Sequence, residues 1–131
     1  MSQYAIYEYY SLIKSKISQA NFDAGIALSN KIIQLAPKDP WGFYYKGVCQ
    51  FALERYEDAI KNYRKALELN PIFAKAYFNA GVCYFMLQYN DYAMISIAKA
   101  LLIFSKSKNK EGKERCIEAL KLLKERGKKW V

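Results

Sequence analysis

Apolar and polar positions follow one another along this chain with a helical period. Across residues 41–53, Phe43, Gly47, Gln50 and Phe51 recur every three to four residues, the spacing that lines one side of an α-helix. A short polar turn follows at Arg55, Tyr56, Glu57 and Asp58, and then a second stripe of Tyr56, Ala59, Ile60, Tyr63, Ala66 and Leu67. The punctuation agrees with this pattern. Asp39-Pro40 offers an N-cap followed by proline at the first helical position, and Pro71 ends the second helix by pushing Asn70 out of helical geometry. Residues 109–129 carry one more stripe, Cys116, Ala119, Leu120 and Leu123, with Lys113, Glu114, Lys121, Lys124 and Glu125 turned to water. No strand-like alternation is evident, so the expected class is all-α.

The helical pairs repeat. Pro37 and Pro71 stand 34 residues apart, as do Gly47 and Gly81, Cys49 and Cys83, Ala59 and Ala93, and Ala66 and Ala100. Tyr44 with Phe78, Phe51 with Phe85 and Leu67 with Leu101 keep the side-chain class at the same interval. A fixed period of this length marks a stack of supersecondary units. The units expected are 6–39, 40–73 and 74–107, with a capping helix over 109–129, in one domain spanning 1–131. Gly47 and Ala59 are expected to leave room for a facing backbone where the two helices of a unit cross.

Composition narrows the function. The 131 residues include no histidine, which removes the commonest general base and most zinc sites. Cys49, Cys83 and Cys116 have no metal-ligand spacing and read as small buried apolar side chains. Glu57 and Asp58 are adjacent, but at a helix start, where negative charge suits the dipole. No catalytic constellation, cofactor site or metal site is therefore expected. The opening residues lack a basic leader and an apolar run. The most apolar stretch, 93–104, is interrupted by Ser96 and Lys99 and is too short to span a bilayer. A soluble, cytoplasmic protein without a membrane span is expected.

The net charge is +9, and it is uneven. Residues 1–104 hold 11 Lys/Arg against 8 Asp/Glu, whereas residues 105–131 hold 10 against 4. Glu111, Glu114, Glu118 and Glu125 are interleaved with the C-terminal lysines and arginines, as on a solvated helix. That pattern reads as a cap rather than a nucleic-acid surface, although a basic nucleic-acid-associated protein stays open as an alternative.

Phe43, Gly47, Tyr56, Ala59, Tyr63, Ala66 and Pro71 in the middle unit resemble the tetratricopeptide repeat family. So do Tyr77, Gly81, Tyr84, Ala93 and Ala100 in the third. The third unit has Ser105 in place of the closing proline and Asn90 in place of the turn tyrosine. In the first unit Tyr9, Leu12, Phe22 and Pro37 fit, while Ile13 replaces the glycine, Gly25 the first alanine and Ile32 the second. The resemblance implies an α-solenoid of three helical hairpins plus a capping helix, and a protein-interaction role.

The resemblance further implies that the first helix of each hairpin lines a concave groove. Carried over residue by residue, the groove takes Tyr10 and Lys14 from the first unit, and Trp41, Tyr44, Tyr45 and Val48 from the second. The third contributes Lys75, Phe78, Asn79 and Val82. Phe43 and Tyr77 are expected to fill the core-facing places, while Phe51 and Phe85 divide evenly between groove and hairpin interior. Trp and Tyr supply apolar area with a polar handle, so a peptide or helix with apolar side chains is the expected partner. The expected chain is a monomer or weak homo-oligomer. Members that clamp a chaperone's terminal carboxylate use Lys, Asn, Asn, Lys and Arg. Tyr10, Lys14, Tyr45, Lys75 and Asn79 stand at those places, and Lys75 alone fits. A small chaperone of type III secretion translocators is the other alternative, since it too combines an apolar groove with a capping helix.

Overall fold

The 34-residue period governs the backbone as well as the side chains. A computed structural model describes residues 3–129, and these form seven α-helices with no strand among them. They are α1 (Gln3–Ser18), α2 (Phe22–Leu35), α3 (Pro40–Ala52), α4 (Tyr56–Leu69), α5 (Ala74–Met86), α6 (Asn90–Lys106) and α7 (Lys110–Lys129). The ends of α1, α3 and α5 at Ser18, Ala52 and Met86 fall at that interval, and so do the starts of α2, α4 and α6.

Local chemistry sets these boundaries. Asp39 caps α3, its carboxylate accepting the Trp41 amide at 2.9 Å, with Pro40 behind it. Asn70 is extended (φ −140°, ψ 93°), as the residue before Pro71 must be. Ser105 imposes no such stop, and α6 accordingly runs on to Lys106. Asn109 caps α7 by accepting the Gly112 amide at 2.9 Å. The polar turn of the middle hairpin lies at 53–55, upstream of its expected place. Glu57 and Asp58 occupy the first turn of α4, where their charge meets the positive helix end.

Each hairpin turns through a residue in the left-handed region: Ala20 (φ 56°), Glu54 (φ 62°) and Gln88 (φ 68°). The amides of Glu54 and Arg55 donate to the Phe51 and Gln50 carbonyls at 2.9 and 2.8 Å, and those of Gln88 and Tyr89 repeat the pattern on Phe85 and Tyr84. This paired closure satisfies the last carbonyls of a helix and favours glycine at the left-handed position. None of the three is glycine, so each turn carries a backbone cost of about 1 kcal/mol.

The chain divides into two compact units, 1–70 and 71–131. In the first, α1 packs on α2, α2 on α3 and α3 on α4. Its core holds Ile13, Ile32 and Tyr45, with Tyr9, Tyr10, Ile17, Leu28, Trp41 and Tyr44 packed around them. Ser29 and Gln50, both buried, are paired: the Ser29 hydroxyl donates to the Gly25 carbonyl at 2.8 Å, and the Asn62 amide donates to Gln50 Oε1 at 2.6 Å. In the second unit α5 packs on α6 and α6 on α7. There the apolar stripe of α7 closes a core of Ala74, Ala93, Ile97, Ala100, Phe104, Cys116 and Leu123.

At Gly47 a side chain takes the space that was expected for a facing backbone. A Cβ on Gly47 would stand 2.7 Å from the Tyr63 ring. One on Gly81 would stand 2.6 Å from the Ile97 side chain. Large side chains of α4 and α6 thus fill the space left by the glycines of α3 and α5. Ala59 and Ala93 are fully buried. All three cysteines are free and buried. Burial pushes the Cys49 thiol up to about 11 and the Cys83 thiol up to about 12, so both remain protonated packing groups at neutral pH.

The turn geometry yields a direct test. Glu54→Gly and Gln88→Gly remove exposed side chains from left-handed positions, and each is expected to stabilise the chain by about 1 kcal/mol in urea unfolding. Equal or lower stability in both variants would mean that the turns are not strained as described.

Candidate functional site

In the first unit, the aromatic residues of α1 and α3 meet through a tilted contact between Tyr10 and Tyr45. The Tyr45 ring lies 5.9 Å from that of Tyr10, 5.6 Å from Trp41 and 5.7 Å from Tyr44, centroid to centroid. Trp41 and Tyr44 are 5.5 Å apart in an edge-on arrangement, and Tyr7 extends the row at 6.2 Å from Tyr10. Such pairs each add about 0.5–1.5 kcal/mol beyond the area they bury. The helical spacing of Trp41, Tyr44 and Tyr45 puts them on neighbouring turns of α3. Tyr44 is further anchored against Tyr63 of α4, at 5.9 Å.

These residues do not share one role. Tyr45, expected as groove surface, is only 9% exposed and belongs to the core with Ile13 and Ile32. Phe43, expected to be core, is half-buried. The difference follows from α3 packing against both α2 and α4, so that two of its sides are covered. Trp41, Tyr44, Val48 and Tyr10 are half-buried, and Lys14 is exposed. Tyr45 is therefore the floor on which Tyr10, Trp41 and Tyr44 rest.

Asp39 ties α1 to the start of α3. Its Oδ2 accepts the Tyr10 hydroxyl while its Oδ1 accepts the Trp41 amide. Burial, followed by the hydrogen bond to Asp39 and the negative charge there, holds the Tyr10 phenol well above its usual range. Burial also raises the Tyr45 phenol, with Tyr44 and Asp39 adding to it. Beside this tie Ile6, Tyr7, Tyr10, Asp39 and Trp41 enclose a cleft of about 260 Å³. Sequence reasoning saw Asp39 only as a cap. Nothing in the spacing placed Tyr7 beside a carboxylate.

In the second unit, Phe78, Asn79 and Val82 are half-buried on α5 and Lys75 is exposed. Helix α7 reaches this helix through its arginines. The Arg115 guanidinium lies 5.0 Å from the Phe78 ring centroid, and that of Arg126 lies 4.8 Å from Phe85. Contacts of this kind are worth about 0.5–1 kcal/mol at exposed sites. Val82, Phe85, Ile97, Ala119, Leu122, Leu123 and Arg126 line an apolar cleft of about 180 Å³. Phe51, by contrast, packs on Tyr56 inside its own hairpin at 5.7 Å. Periodicity could not foretell the two arginine contacts, because they depend on how α7 is rotated against α5.

The described residues contain no cluster of His, Cys, Asp and Glu able to hold a metal ion, and no helix among them is long and apolar enough to cross a membrane.

Comparison with known proteins bears on both units. A family profile described as TPR repeat matches residues 50–88. Among solved structures, the type III secretion translocator chaperone SycD of Yersinia enterocolitica is 19% identical with a TM-score of 0.91, covering 98% of this chain and 89% of its own. PcrH in complex with the chaperone binding region of PopD is likewise 19% identical at a TM-score of 0.91, covering 97% and 96%. The TPR2B domain of yeast Sti1, in complex with a peptide designated pHsp70, is 17% identical at 0.86, covering 91% and 95%. No curated protein sequence matches this chain. At these identities the likeness establishes the tetratricopeptide-repeat helical fold.

The Tyr10–Asp39 tie has a measurable consequence. Tyr10→Phe is expected to destabilise the protein by about 1 kcal/mol at neutral pH. Because the folded-state phenol is raised above its ordinary value of 10.0, its contribution is complete below that pH and is lost as pH rises beyond it. Urea unfolding should therefore show wild type losing more stability above pH 10 than Tyr10→Phe. Parallel pH profiles for the two proteins would contradict the assignment.

Proposed function

We propose, from the premise that this chain is a tetratricopeptide repeat protein, that it is a non-enzymatic binding module holding a segment of another protein. The observation that carries this reading is the aromatic face of α1 and α3. There the half-buried Trp41, Tyr44 and Tyr10 stand on the buried ring of Tyr45. Rigid aromatic side chains with two torsions each lose little entropy on contact, and they are enriched among residues that dominate binding energy. Val48 would extend this face on α3 and Lys14 would flank it, while Lys75, Phe78, Asn79 and Val82 on α5 form a candidate face of the second unit.

A chaperone role for a secreted client is the more specific form of this reading. Its support is the match over nearly the whole chain to SycD and PcrH, one of whose structures holds a segment of PopD. The match to the Sti1 domain does not extend to carboxylate clamping, since Tyr10, Lys14, Tyr45 and Asn79 differ from the clamp residues and Lys75 alone fits. A cytoplasmic setting suits either form of the binder.

The test is capture of partners from the native cell by the full chain and by the Tyr44→Ala/Phe78→Ala double variant. Retained helicity by circular dichroism would show the variant folded. The expected result is a loss of the specifically captured proteins by at least tenfold. Undiminished capture by the folded variant would overturn the assignment of these faces.

A further inference from the structure

The cleft of Ile6, Tyr7, Tyr10, Asp39 and Trp41 combines two kinds of group that an apolar peptide would not use together. Three are aromatic rings, whose faces are electron-rich. The fourth is a carboxylate in the wall of the cleft, half-buried beside those rings. We infer that this cleft receives an arginine side chain of the bound segment, its guanidinium against Asp39 and the ring faces. The inference rests on the peptide-binding reading above and names one residue type in the peptide.

The hydrogen-bond inventory of Asp39 favours this ligand. A carboxylate offers about four lone-pair positions, two on each oxygen. Oδ1 spends one on the Trp41 amide and Oδ2 one on the Tyr10 hydroxyl. One position therefore remains on each oxygen, which is what a pair of parallel guanidinium N–H groups meets. The same two bonds hold the carboxylate in place before any ligand arrives. An ammonium group would satisfy the charge but not the paired geometry, and it stacks less well on aromatic faces.

The charged side chain that lines the cleft, Asp39, has the right sign. It lies at the start of α3, whose helix end carries the equivalent of roughly half a positive charge. The full negative charge of Asp39 exceeds that. Partial exclusion of water strengthens both cation–ring and cation–carboxylate attraction. The cleft's volume of about 260 Å³ accommodates one long side chain. Tyr7, 62% exposed, is the wall a ligand would meet first.

The test uses the full chain with acetyl-arginine methylamide, the neutral acetyl-citrulline methylamide and acetyl-lysine methylamide as probes. The readout is the Trp41 indole N–H signal in NMR, assigned with Trp130→Phe. The arginine probe should shift it saturably in the millimolar range, as about 3–4 kcal/mol of interaction implies. The citrulline probe should bind at least tenfold more weakly, and the lysine probe in between. Asp39→Asn keeps a good helix cap and should weaken the arginine probe at least tenfold. Tyr7→Leu, at an exposed position, should weaken it severalfold. Equal binding of arginine and citrulline probes, or unchanged arginine binding in both variants, would overturn the inference. If partner capture still depends on Tyr44 and Phe78 in that event, the peptide-binding reading stands and the arginine assignment alone falls. Probe binding that needs Asp39, with capture indifferent to Tyr44 and Phe78, would be the reverse.

Discussion

The second and third hairpins depend on one steric fit: a glycine on the first helix receiving a large side chain from the second. Gly47 takes the fully buried Tyr63 ring, and Gly81 takes Ile97, which is almost as completely buried. Both partners recur at the 34-residue interval. A methyl group on either glycine would stand under 3 Å from the opposing side chain, closer than packed atoms approach. The fit sets the distance between α3 and α4 and between α5 and α6. It also brings Tyr63 up against Tyr44, so that the candidate binding face is rooted in the hairpin interior. Fold and site share this contact.

From that contact the two units differentiate. The first builds a row of rings, Tyr7, Tyr10, Tyr45, Trp41 and Tyr44, and ties it down with Asp39. The second uses α7 to complete its core and sets Arg115 and Arg126 over Phe78 and Phe85. The concentration of positive charge beyond residue 105 is thus partly structural. Two of its arginines rest on aromatic faces of α5, and its lysines at 113, 121 and 124 are exposed.

Helix register was legible because it is written in residues with a single meaning. Asp39-Pro40 starts a helix, Pro71 stops one, and Gly47 and Gly81 mark close approach. The left-handed turns at Ala20, Glu54 and Gln88 were not legible, because glycine, the usual signal, is absent there and closure by backbone hydrogen bonds imposes the conformation. The depth of Tyr45 was hidden for another reason. Periodicity identifies a side of α3 but cannot tell that α2 closes over part of it. The candidate cleft needed the fold as well, since Tyr7 and Asp39 are 32 residues apart and meet only when α1 lies beside the start of α3.

The glycine–ring fit is tested most directly by a double-mutant cycle in equilibrium urea unfolding, pairing Gly47→Ala with Tyr63→Leu. A Cβ forced against the Tyr63 ring should cost about 1–3 kcal/mol on its own. Shortening the ring to leucine should remove most of that cost, leaving a favourable coupling of 1 kcal/mol or more, as expected for side chains in contact. Strictly additive effects, or a Gly47→Ala protein as stable as wild type, would contradict the account.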